Sequence, residues 1–564
     1  MNKYLTLLLL LLAFLHLPAQ QTNIDLSTMP IRLPLSMAGG FAEIRSNHFH
    51  SGIDLRTDGK EGERVYAPAD GYVSRINISA WGGGKVLYIT HPNGYRTVYM
   101  HLSAFCGKTA QFVNDYQYQN HVYAFDIDLP KDSIPVKKGE LVALTGNTGG
   151  SAGPHLHYEI RLAENDQTIN PLYFGLSYND PIAPTIAGIK LYPADSRTSI
   201  NGKNRELKLQ NNEPVRIAGR FYCGIYTFDG MEQGSTAKNG VEKIELYVDG
   251  ELLHRYHVHT FMFEETRAVN AIIDYPQYQR TREYYIVSRT LRGDRNNFSI
   301  AYRDNGYIKF DDNKTHTLEY RVSDHKGNTT RRTIKIQSDT SALLPPTSNR
   351  MDNILADGIP IAYYKSFNMV REGFCVDIDP YSIYDNDRLT YSTFPDPASL
   401  TPQHRIGLKR NPLPPHNSIT VKLLIPSGIP TKWRDKLIVV CINGKNVSAC
   451  STREEKGWLT ATSRSFGGFA VRMDTVAPTV KPINFVDGKS MKGETIRVRI
   501  DDNLSGVASY DCYINGEWTV AEHDGKSSSL NVPVSRLRKG INQITFRVTD
   551  AVGNSCEKSW KIYK

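Results

Sequence analysis

The chain has 564 residues and a mass of 63.5 kDa, which at roughly 100–200 residues per domain excludes a single small module and allows three to five folded units. With 40% hydrophobic and 22% charged residues, 10% aromatics and no long polar tract, every part of the chain can bury a core, so wholesale disorder is excluded. The 67 Lys and Arg outnumber the 58 Asp and Glu by a net +9 spread along the chain, which points away from nucleic acid and only weakly toward an anionic polymer or an envelope surface.

The first element is an export signal over residues 1–20. Lys3 gives a positive start, Leu5 to Leu17 is an almost unbroken apolar run, and Pro18-Ala19-Gln20 supplies the small residue that a signal peptidase needs. A membrane anchor takes about 20 apolar residues, and no other stretch approaches that. The mature chain is therefore expected in the periplasm or outside the cell, without a membrane anchor. No cysteine lies near the cleavage point to take a lipid. The seven cysteines are an odd number; Cys512 with Cys556, and then Cys441 with Cys450 around an Asn443-Gly444 turn, are the expected disulfides.

Residues 21–178 read as nearly all β. Val86–Thr90, Thr97–Leu102, Glu140–Leu144 and His155–Arg161 are apolar or alternating runs set off by Gly, Pro and Asn. His91-Pro-Asn-Gly94 is the clearest hairpin turn. Beyond it, landmarks recur. Asp180-Pro-Ile-Ala-Pro184 returns as Asp474-Thr-Val-Ala-Pro478, Gly240-Val241 to Asp249-Gly250 as Gly506-Val507 to Asn515-Gly516, and Asp324-His-Lys-Gly327-Asn328 as Asp550-Ala-Val-Gly553-Asn554. Two copies of one β-sandwich plan over 179–340 and 474–564 account for this, the first carrying long insertions. They resemble the immunoglobulin-like modules of exported bacterial proteins. Residues 341–473, Pro-rich at Leu344-Pro-Pro346 and Leu413-Pro-Pro415, read as a further β domain of unknown type.

The chemistry lies in two motifs of the first segment, His50-Ser-Gly-Ile-Asp54 and His155-Leu-His157. Positions two or four apart on a strand share a face, so His50 points with Asp54 and His155 with His157. Imidazoles and a carboxylate from neighbouring strands suit Zn²⁺; three protein ligands leave a fourth tetrahedral corner for water, the arrangement of a catalytic site. Four candidates for three places leave one histidine over, and Tyr99-Met-His101 offers another; such imidazoles can accept or hold a proton.

These residues, with Val65-Tyr-Ala-Pro-Ala-Asp-Gly71-Tyr-Val73, Gly139 and Thr145-Gly-Asn-Thr148-Gly149, resemble peptidase family M23, the zinc endopeptidases related to lysostaphin and LytM. The similarity covers about residues 38–175. It implies an antiparallel, groove-bearing β fold, one zinc per chain held by His50, Asp54 and His157, catalytic assistance from His101 and His155, and cleavage of peptide bonds in peptidoglycan. The chain departs from the compact pattern at Phe105–Pro135, an aromatic-rich insertion that either lengthens the groove wall or folds across the metal.

Other features read as structural. His257-Val-His259 repeats the His-x-His spacing without companions like His50 and Asp54. His48 shares the spacing of His50 and is a weaker ligand candidate; His91 belongs to a turn. Asp58 and Asp70 sit among glycines in turn positions. The Gly146–Gly153 run lacks a Gly-Lys-Ser/Thr ending and leads into a strand, so it is no phosphate loop. Cys106 has no orienting base, and no HExxH or HxxEH occurs.

The expected protein is thus mainly β: an exported zinc endopeptidase of peptidoglycan crosslinks, followed by sandwich modules that offer a surface to an envelope protein partner. One alternative is a non-catalytic scaffold that grips wall peptides and recruits another hydrolase. The other is a protease acting on proteins outside the wall.

Overall fold

The computed structural model describes residues 25–210, 214–231, 238–345 and 357–564; the export signal read over 1–20 lies outside them. The molecule is mainly β, and no helix among the described residues is long and apolar enough to cross a membrane.

The motifs of the first segment share one antiparallel sheet. In chain order its main strands are β1 (Met37–Gly39), β2 (Ile53–Arg56), β3 (Gly71–Ile78), β4 (Lys85–Thr90), β5 (Tyr95–Met100), β6 (Phe125–Asp128) and β7 (His155–Leu162). Across the sheet they run β1-β2-β7-β5-β4-β3-β6. The long sequence separation between β2 and β7 therefore vanishes in space. The β4–β5 hairpin closes at His91–Gly94, where the His91 amide donates to Tyr95 at 2.9 Å and Gly94 takes φ 83°, a conformation that favours a residue without Cβ.

The insertion after His101 differs from the all-β reading. It forms a helix, α1 (Gly107–Asn120), with Thr109, Val113 and Gln117 buried at four-residue spacing and His121 closing the C-terminus in a left-handed conformation. The insertion then adds β6 at the sheet edge remote from β2 and β7. The far face of α1 meets the last sandwich, where the His121 ring stacks on Trp518 at 4.8 Å and Tyr118 bonds to Thr519 at 3.1 Å.

Both repeat copies form two-sheet structures, and their matching turns use two consecutive left-handed residues: Asp249 and Gly250 at φ 50° and 86°, Asn515 and Gly516 at φ 54° and 85°. Part of the extra length of the first copy joins the sheet of the first segment. Its strand Thr260–Phe261 pairs with Thr168–Ile169, and Phe261 packs against Phe41 and Phe49 at 5.4 and 5.6 Å. One hydrophobic core consequently runs from Leu26 to Ile336, whereas the segments Ile361–Val471 and Val480–Ile562 hold separate cores.

All seven cysteines are free thiols, which corrects the expected disulfides. Cys512 and Cys556 lie on strands flanking Ile541–Asp550, opposite Phe546 and Val548. Two strand spacings, roughly 9.5 Å, exceed the reach of a disulfide. Cys441 pairs across its hairpin with Ser448 instead of Cys450.

Candidate metal centre

Strand β7 sits between β2 and β5, so His157 stands opposite Asp54 on one side and Met100 on the other. His50 arrives from the turn just before β2, and Gly52 makes the approach feasible: a Cβ there would lie 2.3 Å from the Tyr158 carbonyl and 3.0 Å from His157 Nε2. The result is a closed triangle of donor atoms. His50 Nε2 lies 3.0 Å from Asp54 Oδ1 and 2.9 Å from His157 Nδ1, and His157 Nδ1 lies 2.9 Å from Asp54 Oδ1. All three side chains are buried.

The outer nitrogens define what that triangle is. His50 Nδ1 donates to the Gly40 carbonyl at 2.7 Å, and His157 Nε2 donates to Glu159 Oε1 at 2.8 Å. With those protons placed outward, two imidazole lone pairs and a carboxylate oxygen face one another in the centre. Three acceptors at such distances repel unless a proton or a cation lies among them. Burial lowers His50 to about 4 against the pull of Asp54, and it also works against a proton on His157, which Asp54 and Glu159 nevertheless raise to about 9. Burial likewise opposes the charge on Asp54, yet His50, His155 and His157 hold its carboxyl far below the usual range.

Two nitrogens and one oxygen form a donor set for zinc. Bonds of about 2.0–2.1 Å at tetrahedral angles separate donors by roughly 3.3 Å, so the triangle needs to open by only a few tenths of an ångström. The supports are those a metal ligand requires. Arg45 Nη2 holds Asp54 Oδ2 at 2.6 Å, leaving Oδ1 for the centre, and Glu159 is itself anchored by Arg161 and Ser51.

His101 and His155 flank the triangle. Their rings lie 4.8 Å apart, and His101 is 6.1 Å from the His157 ring. His101 Nδ1 donates to the Thr148 carbonyl and His155 Nδ1 to the Gly153 carbonyl, both at 2.8 Å, so each turns the lone pair of its Nε2 away from the backbone. Among the described residues His155 Nε2 has no hydrogen-bond partner, and it stands 3.4 Å from Asp54 Oδ1. Burial and the neighbouring His157 and His155 lower His101 to about 3. A left-handed backbone at His101, φ 62°, turns the chain at the end of β5. The glycine run explains itself here: Gly149 packs so closely on Gly84 that a Cβ would lie 2.3 Å from its amide, and this contact positions Thr148.

All five residues singled out in the sequence thus gather at one place. His48 does not; it is exposed and bonds the Ser46 carbonyl at 2.8 Å. Asp70 is exposed and bonds Lys137 and Lys138, and burial raises the Cys106 thiol, away from nucleophilic use. Sequence reasoning missed Arg45, Ser51, Gly40, Glu159 and Arg161. Glu159 and Arg161 were accessible, since alternation places them on the face of His155 and His157; Arg45 and Gly40 carried no pattern.

Residues 48–118 match peptidase family M23, and residues 360–474, within the segment whose type the sequence left open, match the Zu5-like domain. A stretch of 123 residues is 39% identical to an uncharacterized metalloprotease of Haemophilus influenzae, covering 22% of this chain and 20% of that one. The peptidoglycan DD-endopeptidase ShyA of Vibrio cholerae is 32% identical over 111 residues, 20% of each chain. The catalytic domain of lysostaphin from Staphylococcus simulans is 24% identical over 23% of this chain and 81% of its own, with a TM-score of 0.17. The chain spans about a fifth of the length of the curated relatives it matches. It carries an M23 metallopeptidase domain.

Proposed function

We propose that the protein is a zinc-dependent endopeptidase that hydrolyses peptide crosslinks of bacterial peptidoglycan, working in the periplasm or outside the cell. The observation that carries the reading is the inward triangle of His50 Nε2, Asp54 Oδ1 and His157 Nδ1, with both imidazole protons fixed outward. A zinc ion held by these three would activate water and polarise the scissile carbonyl. The chain supplies the rest. Gly40, Glu159 and Arg45 keep the three ligands aimed, while His101 Nε2 and His155 Nε2 are the acceptor atoms placed to take the proton from the attacking water and return it to the leaving amine. In protonated form either also stabilises the developing oxyanion.

The substrate rests on the named activity of the Vibrio relative, which favours stem-peptide crosslinks over glycine bridges. Digestion of purified sacculi, followed by mass analysis of the fragments, tests the proposal. Crosslinked muropeptides should shorten to uncrosslinked ones, stop doing so with chelator, and resume with added zinc. Sacculi left intact by the zinc-loaded protein, or cleavage indifferent to chelator, would contradict it.

A further inference from the structure

The two sandwich copies carry matching carboxylate clusters that the peptidase reaction does not use. Asp180, Asp229 and Asp324 in the first, and Asp474, Asp502 and Asp550 in the last, each offer oxygens within 4.8 Å of one another. The clusters are built alike. Asp180 and Asp474 each accept the amide two residues on, from Ile182 and Val476, at 3.2 Å. Asp324 and Asp550 each accept the side-chain amide of an asparagine four residues on, Asn328 at 2.8 Å and Asn554 at 2.7 Å. The same two asparagines reach back to the Asp180 and Asp474 carbonyls at 2.9 and 3.1 Å.

The third aspartate is the informative one. In both copies its Oδ1 has no partner among the described residues, and Asp229 is only 4% exposed. Across the bridge from Asp229, Asn239 is 2% exposed, and its Oδ1 is also without a partner among the described residues. Lys326, whose charge reaches Asp180, directs its ammonium over the Tyr178 ring at 4.1 Å instead of into the cluster. Buried carboxylates left without a counter-charge are strongly unfavourable. Retaining three in the first copy, and a matching trio in the last with Asp502 partly exposed, at equivalent positions, calls for a ligand that supplies positive charge.

The donors are all oxygen, which excludes a preference for zinc and selects a hard cation. Three carboxylates with carbonyl, amide and water oxygens suit the irregular six- to eight-fold shell of calcium better than the strict octahedron of magnesium. The first cluster borders a cavity of about 30 Å³, close to the volume of one water molecule. The peptidase residues Met37, Gly40 and Phe41 form the other wall, and Gly40 is the residue whose carbonyl orients His50.

We propose that the two clusters are calcium sites, one in each sandwich, and that the first fastens its sandwich to the peptidase domain beside the support of His50. The test uses the full chain, stripped with a calcium-selective chelator and equilibrated with calcium chloride at roughly 1 mM, the range of extracellular sites. Wild type should bind two calcium ions per chain and melt at a higher temperature with calcium than without. Asp229→Asn and Asp502→Asn should each bind one; the double variant should bind none and lose the shift. Without calcium, Asp229→Asn should melt no lower than wild type, because it removes an uncompensated carboxylate, which separates lost binding from lost folding. His157→Ala should keep both ions, so this result stands apart from the peptidase reading. Wild type that binds no calcium, a single ion, or ions that survive both substitutions would overturn the proposal.

Discussion

His155-Leu-His157 and His257-Val-His259 repeat one spacing, and of these two pairs the first alone contributes to the candidate metal centre. In the first, His157 stands opposite Asp54, meets His50 from the same neighbouring segment, and has its outer nitrogen fixed by Glu159. In the second, His257 stands opposite Lys243, bonds Glu242 at 2.8 Å, and lies 4.9 Å from the His259 ring. Spacing is the same and chemistry is not. A cross-strand carboxylate with a second imidazole gathers lone pairs, whereas a cross-strand ammonium gathers none and leaves His257 with a single hydrogen bond to Glu242. The partner across the ladder, set by register, decides what a His-x-His motif can hold.

The contrast can be broken in several ways. The largest effect is expected from His157→Ala, which removes one side of the triangle: zinc content and sacculus hydrolysis should fall together to background, while His257→Ala leaves both at wild-type levels. His101→Ala should lower hydrolysis by about 10²–10⁴-fold, the usual contribution of a positioned acid or base, with zinc content unchanged; loss of zinc in this variant would make His101 a ligand. Glu159→Gln keeps the shape and removes the charge that orients His157, so zinc affinity measured against a competing chelator should weaken about 10–100-fold. The smallest effect belongs to the control pair. His257→Ala should cost about 1 kcal/mol in denaturant unfolding, the worth of one hydrogen bond, and should show no dependence on zinc.

The same contrast explains what the sequence disclosed. His155 and His157 stood out through strand alternation, and His50, Asp54 and His101 through their ligand chemistry; the expected shared strand face of His50 and Asp54 is not what joins them, since His50 reaches Asp54 from the turn before β2. The repeat landmarks were legible too, since Asp249-Gly250 and Asn515-Gly516 are turns whose geometry dictates the residue type. The helix α1 was hidden because its buried positions Thr109, Val113 and Gln117 include two polar residues, which mask the helical period. Arg45 and Gly40 act through tertiary approach: a Cβ at Gly39 would lie 2.6 Å from Arg45 Nη2 and 2.7 Å from Asp54 Oδ2, a proximity that no sequence spacing encodes. The disulfide expectation failed for a related reason. Sharing a domain says nothing of the strand that separates Cys512 from Cys556.

The insertions of the first sandwich tie the fold to the site. Phe49 precedes His50 and is held by Phe261 and by Phe298, at 5.0 Å in an edge contact, and its amide donates to Thr266 Oγ1 at 2.7 Å. The second copy has no such extension and keeps its own core. One copy braces the ligand-bearing segment, and the other docks on the outer helix.

Anomalous diffraction at the zinc edge from crystals of the full chain reaches the central claim most directly. A single peak bonded to His50 Nε2, Asp54 Oδ1 and His157 Nδ1, with His50 Nδ1 still on the Gly40 carbonyl and no fourth side chain on the ion, is the expected result. A peak elsewhere, a fourth protein ligand, or a proton shared between the two imidazoles in zinc-soaked crystals would contradict the account.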